Sequence, residues 1–287
     1  MNREAARTTV VVGATSEVGA EVSARLAGAG HTVRGVARRL GVALDDQAAL
    51  DAAFAGADSA YVMIPFDVTA PDLHCFEDEV GARLASSIAK AGLNRVVLLS
   101  GLNAHLRMGT SLGAALMEER LAALGLEELV CLRASFFMEN FVKGMGFVEQ
   151  AASGVFATPF RGDLPMPLIA AKDIGERAAA LLDAKGASGQ RVVELHGGGY
   201  HTLEQATAIL GRAIGKDVAY YAAPFADARA GMIANGLSAS FADALGETAA
   251  SFNKGERWAL EVPSVANATP TSFEAWAENF ARVGNAA

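Results

Sequence analysis

Apolar positions in the first half of the chain alternate between two periods. Thr8–Val12 (TTVVV) is a continuous β-branched run, as expected of a strand buried on both faces. From Glu17 to Ala29 the period is helical: Val18, Val22 and Leu26 share a face, and Gly28 and Gly30 end the segment. Further strands are predicted at Thr32–Val36, Leu40–Leu44, Ser59–Ile64, Arg95–Ser100 and Glu128–Leu132. Helices are predicted over Asp72–Ala91, where Phe76, Val80, Leu84 and Ile88 form one stripe, and over Ser111–Leu124. Strands alternating with helices imply right-handed crossovers and a sheet covered on both faces. The fold class is therefore α/β, with a doubly wound parallel sheet.

The second half is less regular. It carries predicted helices at Ala171–Ala184, Thr202–Ile214 and Ser272–Val283, two of them with expected capping boxes, Thr202-x-x-Gln205 and Thr271-x-x-Glu274. Short strands are predicted at Val192–Leu195 and Val218–Tyr221. We read residues 1–150 as one domain and 151–287 as a smaller α/β lobe interleaved with it.

Composition narrows the function classes. Hydrophobic residues make up 52% of the 287 positions and charged residues 20%, which supports a packed core and argues against disorder. The 24 basic and 32 acidic residues leave a net charge of −8, which disfavours nucleic acid as a partner. The longest uncharged run, Ala230–Ala242, is too short for a bilayer, so no membrane association is expected. The N-terminal MNREAARTT has no apolar signal core, and a cytoplasmic location is expected. Two distant cysteines, Cys75 and Cys131, suggest no disulfide framework and read as small core residues. No Cys/His spacing suits zinc, so no metal is expected.

The candidate chemistry begins at VVVGATSEVGAEV, which follows the first strand and opens the first helix. In a doubly wound fold, ligands bind at the carboxyl ends of the strands, and a helix N-terminus attracts phosphate. Gly13 suits the tight turn, and Gly19 suits close helix–strand packing. The second strand ends in Arg38 and Arg39 where an acidic residue would favour NAD; arginine favours the 2′-phosphate of NADP. NADP(H) is therefore expected in preference to NAD(H).

The loop Gly13-Ala14-Thr15-Ser16-Glu17-Val18-Gly19 resembles the G-A-T-G-x-x-G loop of the NmrA-like, atypical branch of the short-chain dehydrogenase/reductase superfamily. The middle glycine is replaced by Ser16 or, on the superfamily's other spacing, by Glu17. Ser16 could offer a hydroxyl to a pyrophosphate, whereas Glu17 brings a like charge. The resemblance continues through Leu132-Arg133, Phe136-Phe137-Met138-Glu139-Asn140, Lys172-Asp173-Ile174-Gly175, Leu195-His196-Gly197 and Pro270-Thr271-Ser272-Phe273. In layout it is similar to the quinone and triphenylmethane reductases. The branch usually places a helix before its third strand, and with Leu40–Leu44 as that strand the helix is missing here, which would open one wall of the adenosine pocket.

The resemblance assigns cofactor contacts to Gly13, Thr15, Ser16, Glu17, Val18, Gly19, Arg38, Arg39, Asp45, Ile64, Pro65 and Ser100. It assigns a substrate wall to Phe66, Asn103, Phe136, Phe137, Met138 and Asn140. The superfamily's catalytic Tyr and Lys would fall at Thr110 and Ala114, so the pair is absent. Ser100 and His105 remain as catalytic candidates, and Glu118 matches a family glutamate. Without the Tyr, the expected activity is NADPH-dependent reduction of a small aromatic or quinone-like molecule. A non-redox enzyme on the same scaffold (isomerase, dehydratase or cyclase) and a dinucleotide-sensing regulator stay open. The expected partner is a small-molecule substrate, with a homodimer as an open assembly.

Overall fold

The run Thr8–Val12 forms the central strand β1, and the glycine loop after it leads into helix α1 (Glu17–Ala29). The alternation continues through β2 (Thr32–Val36), α2 (Gln47–Phe54), β3 (Ser59–Val62), α3 (Leu73–Lys90), β4 (Arg95–Gly101), α4 (Leu112–Ala122) and β5 (Glu128–Ala134). This computed structural model describes residues 6–184, 188–256 and 258–284.

Residues 136–169 supply β6 (Phe136–Phe137), the short helices α5 (Asn140–Lys143) and α6 (Phe147–Gln150), β7 (Val155–Thr158) and β8 (Pro165–Ile169). Then come α7 (Ala171–Asp183), β9 (Gly189–Leu195), β10 (Gly199–Thr202), α8 (Leu203–Ala213) and β11 (Ala219–Ala222). Helices α9 (Phe225–Ala234), α10 (Ala239–Asn253) and α11 (Phe273–Gly284) complete the order.

The main sheet is parallel and six-stranded, in the order β2-β1-β3-β4-β5-β9. β1 therefore has β2 on one side and β3 on the other, and the crevice at its carboxyl end is the topological switch point. Alternate residues of each strand feed two cores. Val10, Val12, Val96 and Leu98 pack with Val80, Leu84, Ile88 and Met117 of α3 and α4. Val11, Tyr61, Val97 and Val130 pack with Val22 and Leu26 of α1 and Ile174 and Leu182 of α7. A third core, centred on Phe141, Phe147, Phe156, Phe160 and Phe273, lies under two small sheets, β10-β8-β6 and β11-β7.

Four sequence expectations are corrected, and one, the strand Val192–Leu195, is extended. Leu40–Leu44 is not a strand: the chain makes a 3₁₀ turn at Arg38–Leu40 and passes directly into α2. The few residues after β2 cannot supply the crossover that a further parallel strand needs, and Val42 and Leu44 pack as loop residues against the core that holds Leu50 and Phe54. The helix before the next strand is thus present as α2, and β2 is the edge of the sheet. Val192–Leu195 belongs to β9, whose pairing with β5 returns the second half of the chain to the main sheet. Cys75 is exposed on α3, because Leu73 and Glu77 take the inward positions there; Cys131 is buried as expected. The Thr202–Gln205 capping box forms, but Thr271 bonds Asp173 instead, and Ser272 accepts the Ala275 amide.

Candidate active site

Backbone geometry builds the loop after β1. Gly13 has φ +72, and its amide donates to the Val36 carbonyl at the end of β2. A Cβ on Gly19 would lie 2.1 Å from the Gly13 carbonyl oxygen, so only glycine lets α1 begin this close to β1. Ser16 is the N-cap: its hydroxyl accepts the Gly19 amide at 3.1 Å, and its carbonyl accepts from Ala20 at 2.8 Å. Its oxygen thus serves the helix first. Helix geometry leaves the amides of Glu17 and Val18 without an acceptor within α1, which suits an anion. The side chain of Glu17 turns to Lys143 of α5, with Nζ and Oε1 2.6 Å apart.

Beyond β2 lie the residues that the resemblance assigns to the adenosine end of a cofactor. Arg38 and Arg39 are exposed on the 3₁₀ turn. Leu40 and Ala14 both lie against Gly35, where a Cβ would stand 2.6 and 2.9 Å from their side chains. Asp45 is exposed in the following turn, and Asp46 caps α2 through the Ala49 amide at 3.0 Å. Arg34, from the edge strand, donates to the carbonyls of Ala53 and Ala55 at the end of α2.

At the end of β3, the Met63 side chain lies against Gly13. Ile64 is buried and Pro65 half-buried, while Phe66 is 53% exposed and meets Phe241 of α10 edge-on, centroids 6.1 Å apart.

The corner after β4 is built of side chains. Ser100 is buried and donates to Glu118 Oε1 at 2.6 Å. Arg133, beside Ser100 in register on β5, grips both oxygens of Glu118 at 2.9 and 2.6 Å. The proton of Ser100 is therefore directed at Glu118, which leaves the hydroxyl an acceptor towards any other group. Asn103 is buried and accepts from Ser111 Oγ at 2.6 Å, with its amide nitrogen unpartnered among the described residues. His105 sits half-buried in the adjoining 3₁₀ turn.

Thr110 and Ala114 are the positions that the sequence resemblance aligns with the superfamily's Tyr and Lys. The Thr110 amide donates to Thr248 Oγ1 at 2.9 Å, and the Gly109 amide to Glu247 Oε2 at 3.1 Å, so α10 covers this helix start. Phe136 packs edge-on against Phe141 and Phe160, and Phe137 is half-buried. Met138 is buried, and Asn140 opens α5. Glu139 accepts from the Ala171 amide and from Trp276 Nε1, both at 3.0 Å, and its burial holds its carboxyl above the usual range.

The structure thus gathers the loop, Arg38, Ile64 and Pro65 at the carboxyl edge of β1, β2 and β3, and Ser100, Asn103 and His105 after β4. Met63, Leu40, Arg133, Lys143 and the α10 residues Phe241, Glu247 and Thr248 were not anticipated. The Leu132-Arg133 match marked Arg133 in the sequence, but nothing local pointed to α10.

The model of the NmrA-like family matches residues 5–277. This chain belongs to the NmrA-like family. A curated relative from Streptomyces griseus, named (4-alkanoyl-5-oxo-2,5-dihydrofuran-3-yl)methyl phosphate reductase, is 31% identical over 232 residues, covering 74% of this chain and 75% of the relative. Among solved structures of the fold, the NADPH-dependent quinone oxidoreductase of Escherichia coli with NADPH aligns with a TM-score of 0.75 at 23% identity, over 95% of this chain and 99% of its own. The triphenylmethane reductase of Citrobacter sp. with NADP(H) aligns with a TM-score of 0.71 at 18% identity, over 96% and 99%. This NmrA-like chain therefore keeps the fold of the family. No helix among the described residues is long and apolar enough to cross a membrane.

Proposed function

We propose that this chain is an NADPH-dependent reductase that acts on a small conjugated acceptor of aromatic or quinone-like type. The observation that carries the reading is the glycine-built loop with its outward α1 amides, set beside the exposed Arg38 and a β4 corner that lacks Tyr and Lys. The residues present fit a dinucleotide: Gly13 makes the tight turn, and Gly19 lets α1 begin against β1, which sets the first turn of the helix at the carboxyl edge of the sheet.

When bound, NADPH would supply a hydride. The chain's own residues would bind and orient it: the first turn of α1 would hold the pyrophosphate, Arg38 would take the 2′-phosphate, and Ile64 and Pro65 would flank the nicotinamide. Phe66, Phe136 and Phe137 wall the acceptor, whose position against the nicotinamide supplies most of the catalysis. Because Thr110 and Ala114 carry no strong proton donor, the acceptor itself must delocalise the incoming electron pair. A quinone or a conjugated carbonyl does this, moving the pair to oxygen, which takes its proton from water. The acyl-furanone phosphate in the Streptomyces griseus relative's name is an acceptor of this electronic kind.

The test is turnover of 1,4-benzoquinone with NADPH or NADH, coupled to calorimetric titration of both cofactors. NADPH should bind more tightly and be consumed. Arg38→Ala should weaken NADPH about tenfold and leave NADH nearly unchanged, the loss expected for one charge-assisted phosphate contact. Equal losses for both would remove the 2′-phosphate role. Tight NADPH binding without turnover, with a protein co-purifying, would point to a regulator, and activity without cofactor to a non-redox enzyme.

A further inference from the structure

The loop's middle glycine is missing, and the first turn of α1 carries a carboxylate, Glu17, directly after Ser16. That is where a dinucleotide's pyrophosphate would lie, so an uncompensated Glu17 would repel it. The structure gives Glu17 a partner. Lys143 Nζ reaches Oε1 at 2.6 Å, and both side chains keep a solvent-facing side, 65% exposed for Lys143 and 42% for Glu17. Lys143 belongs to α5, which follows the Phe136–Phe137 wall in the chain. A second acid, Glu139, stands on the same segment. Its carboxyl is held up mainly by burial and further by the charge of Glu17, which places both acids in one electrostatic neighbourhood. Glu139 is anchored to the Ala171 amide and to Trp276, so it cannot turn away. An ammonium has three N–H donors, and the contact with Glu17 uses one of them.

We propose that Lys143 is a cofactor-binding residue, its ammonium bridging the Glu17 carboxylate and the pyrophosphate of NADP(H). This rests on the cofactor reading above and adds to it a residue from outside the β1–α1 unit. The missing glycine is then offset by a cation from the segment that follows Phe136 and Phe137 in the chain.

The test is calorimetric titration of the full chain with three ligands: NADPH, 2′-phospho-ADP-ribose, and 2′-AMP, which lacks the pyrophosphate. Lys143→Ala should weaken NADPH and 2′-phospho-ADP-ribose about tenfold and leave 2′-AMP unchanged. Lys143→Arg should restore most of the loss. Glu17→Gln alone should tighten NADPH a few-fold, and in that background the Lys143→Ala loss should shrink to about threefold, because no bare carboxylate is left behind. NADPH binding by the wild-type chain that Lys143→Ala leaves unchanged overturns this proposal alone. Equal weakening of all three ligands overturns it too, since it would mark a merely structural tether. Absence of NADPH binding in the wild-type chain overturns the cofactor reading and this proposal together.

Discussion

Two corners of the same sheet edge solve different problems. The corner after β1 is made of backbone: a left-handed Gly13, a Gly19 packed on its carbonyl, and a helix start capped by Ser16. The corner after β4 is made of side chains: Ser100, Glu118 and Arg133 in one hydrogen-bonded set, with α10 laid over Thr110. Backbone geometry tolerates little change, because a Cβ at Gly19 has nowhere to go. Side-chain chemistry can be exchanged, and the segment Gly101–Arg120 holds neither Tyr nor Lys. The comparison teaches that a corner shaped by backbone sterics is fixed, while one shaped by side chains is open to substitution.

The largest expected effect lies at the side-chain corner. Arg133→Met would leave Glu118 with Ser100 as its remaining hydrogen-bond partner, and both side chains of the ion pair are nearly buried, at 11% and 12% exposure. Breaking such a pair costs about 3–5 kcal/mol, to be read by chemical denaturation. A loss below about 1 kcal/mol would show that the corner is better solvated than its burial implies. At the backbone corner, Gly19→Ala should cost roughly 1–3 kcal/mol through overpacking and should also abolish NADPH binding, because α1 must shift. Retained binding would break the contrast between the corners.

A smaller effect belongs to the link that walls the adenosine side. The Asp51 carboxyl is lowered to about 2, first by the hydrogen bond from Lys90 and then by those from Ser87 and Gln47, which together tie α2 to α3. A carboxyl depressed by folding contributes stability above its unfolded pKa of about 4, and that contribution is lost as pH falls through the folded value. The stability of the wild-type chain should therefore fall between about pH 4 and pH 2 more steeply than that of Asp51→Asn, measured by thermal melts across that range. Parallel curves would show that Asp51 does not couple the two helices.

Much of the fold was legible from residues alone. The apolar runs at β1, β4 and β5 and the stripe on α3 report burial directly, and the helix start at Ser16 follows from local hydrogen bonding. The link at 40–46 was not legible. Its apolar Leu40, Val42 and Leu44 alternate like a strand, yet they pack as a loop because too little chain is left to cross back to the sheet edge. Cys75 misled for a related reason: helical period places it near an apolar stripe, but the neighbouring Leu73 and Glu77 take the inward positions.

The residues by themselves determined the parallel α/β sheet, the tight turn at Gly13 with the close packing at Gly19, and the arginines after β2. Each of these follows from periodicity, sterics or chemistry within a short stretch of chain. Only the tertiary structure decided that Ser100 donates to Glu118, that α10 covers Thr110, and that Glu17 meets Lys143. Those partners stand 18, 138 and 126 positions apart in the chain. No local periodicity encodes such distances; they are set when packed helices and strands bring their ends to one edge of the sheet.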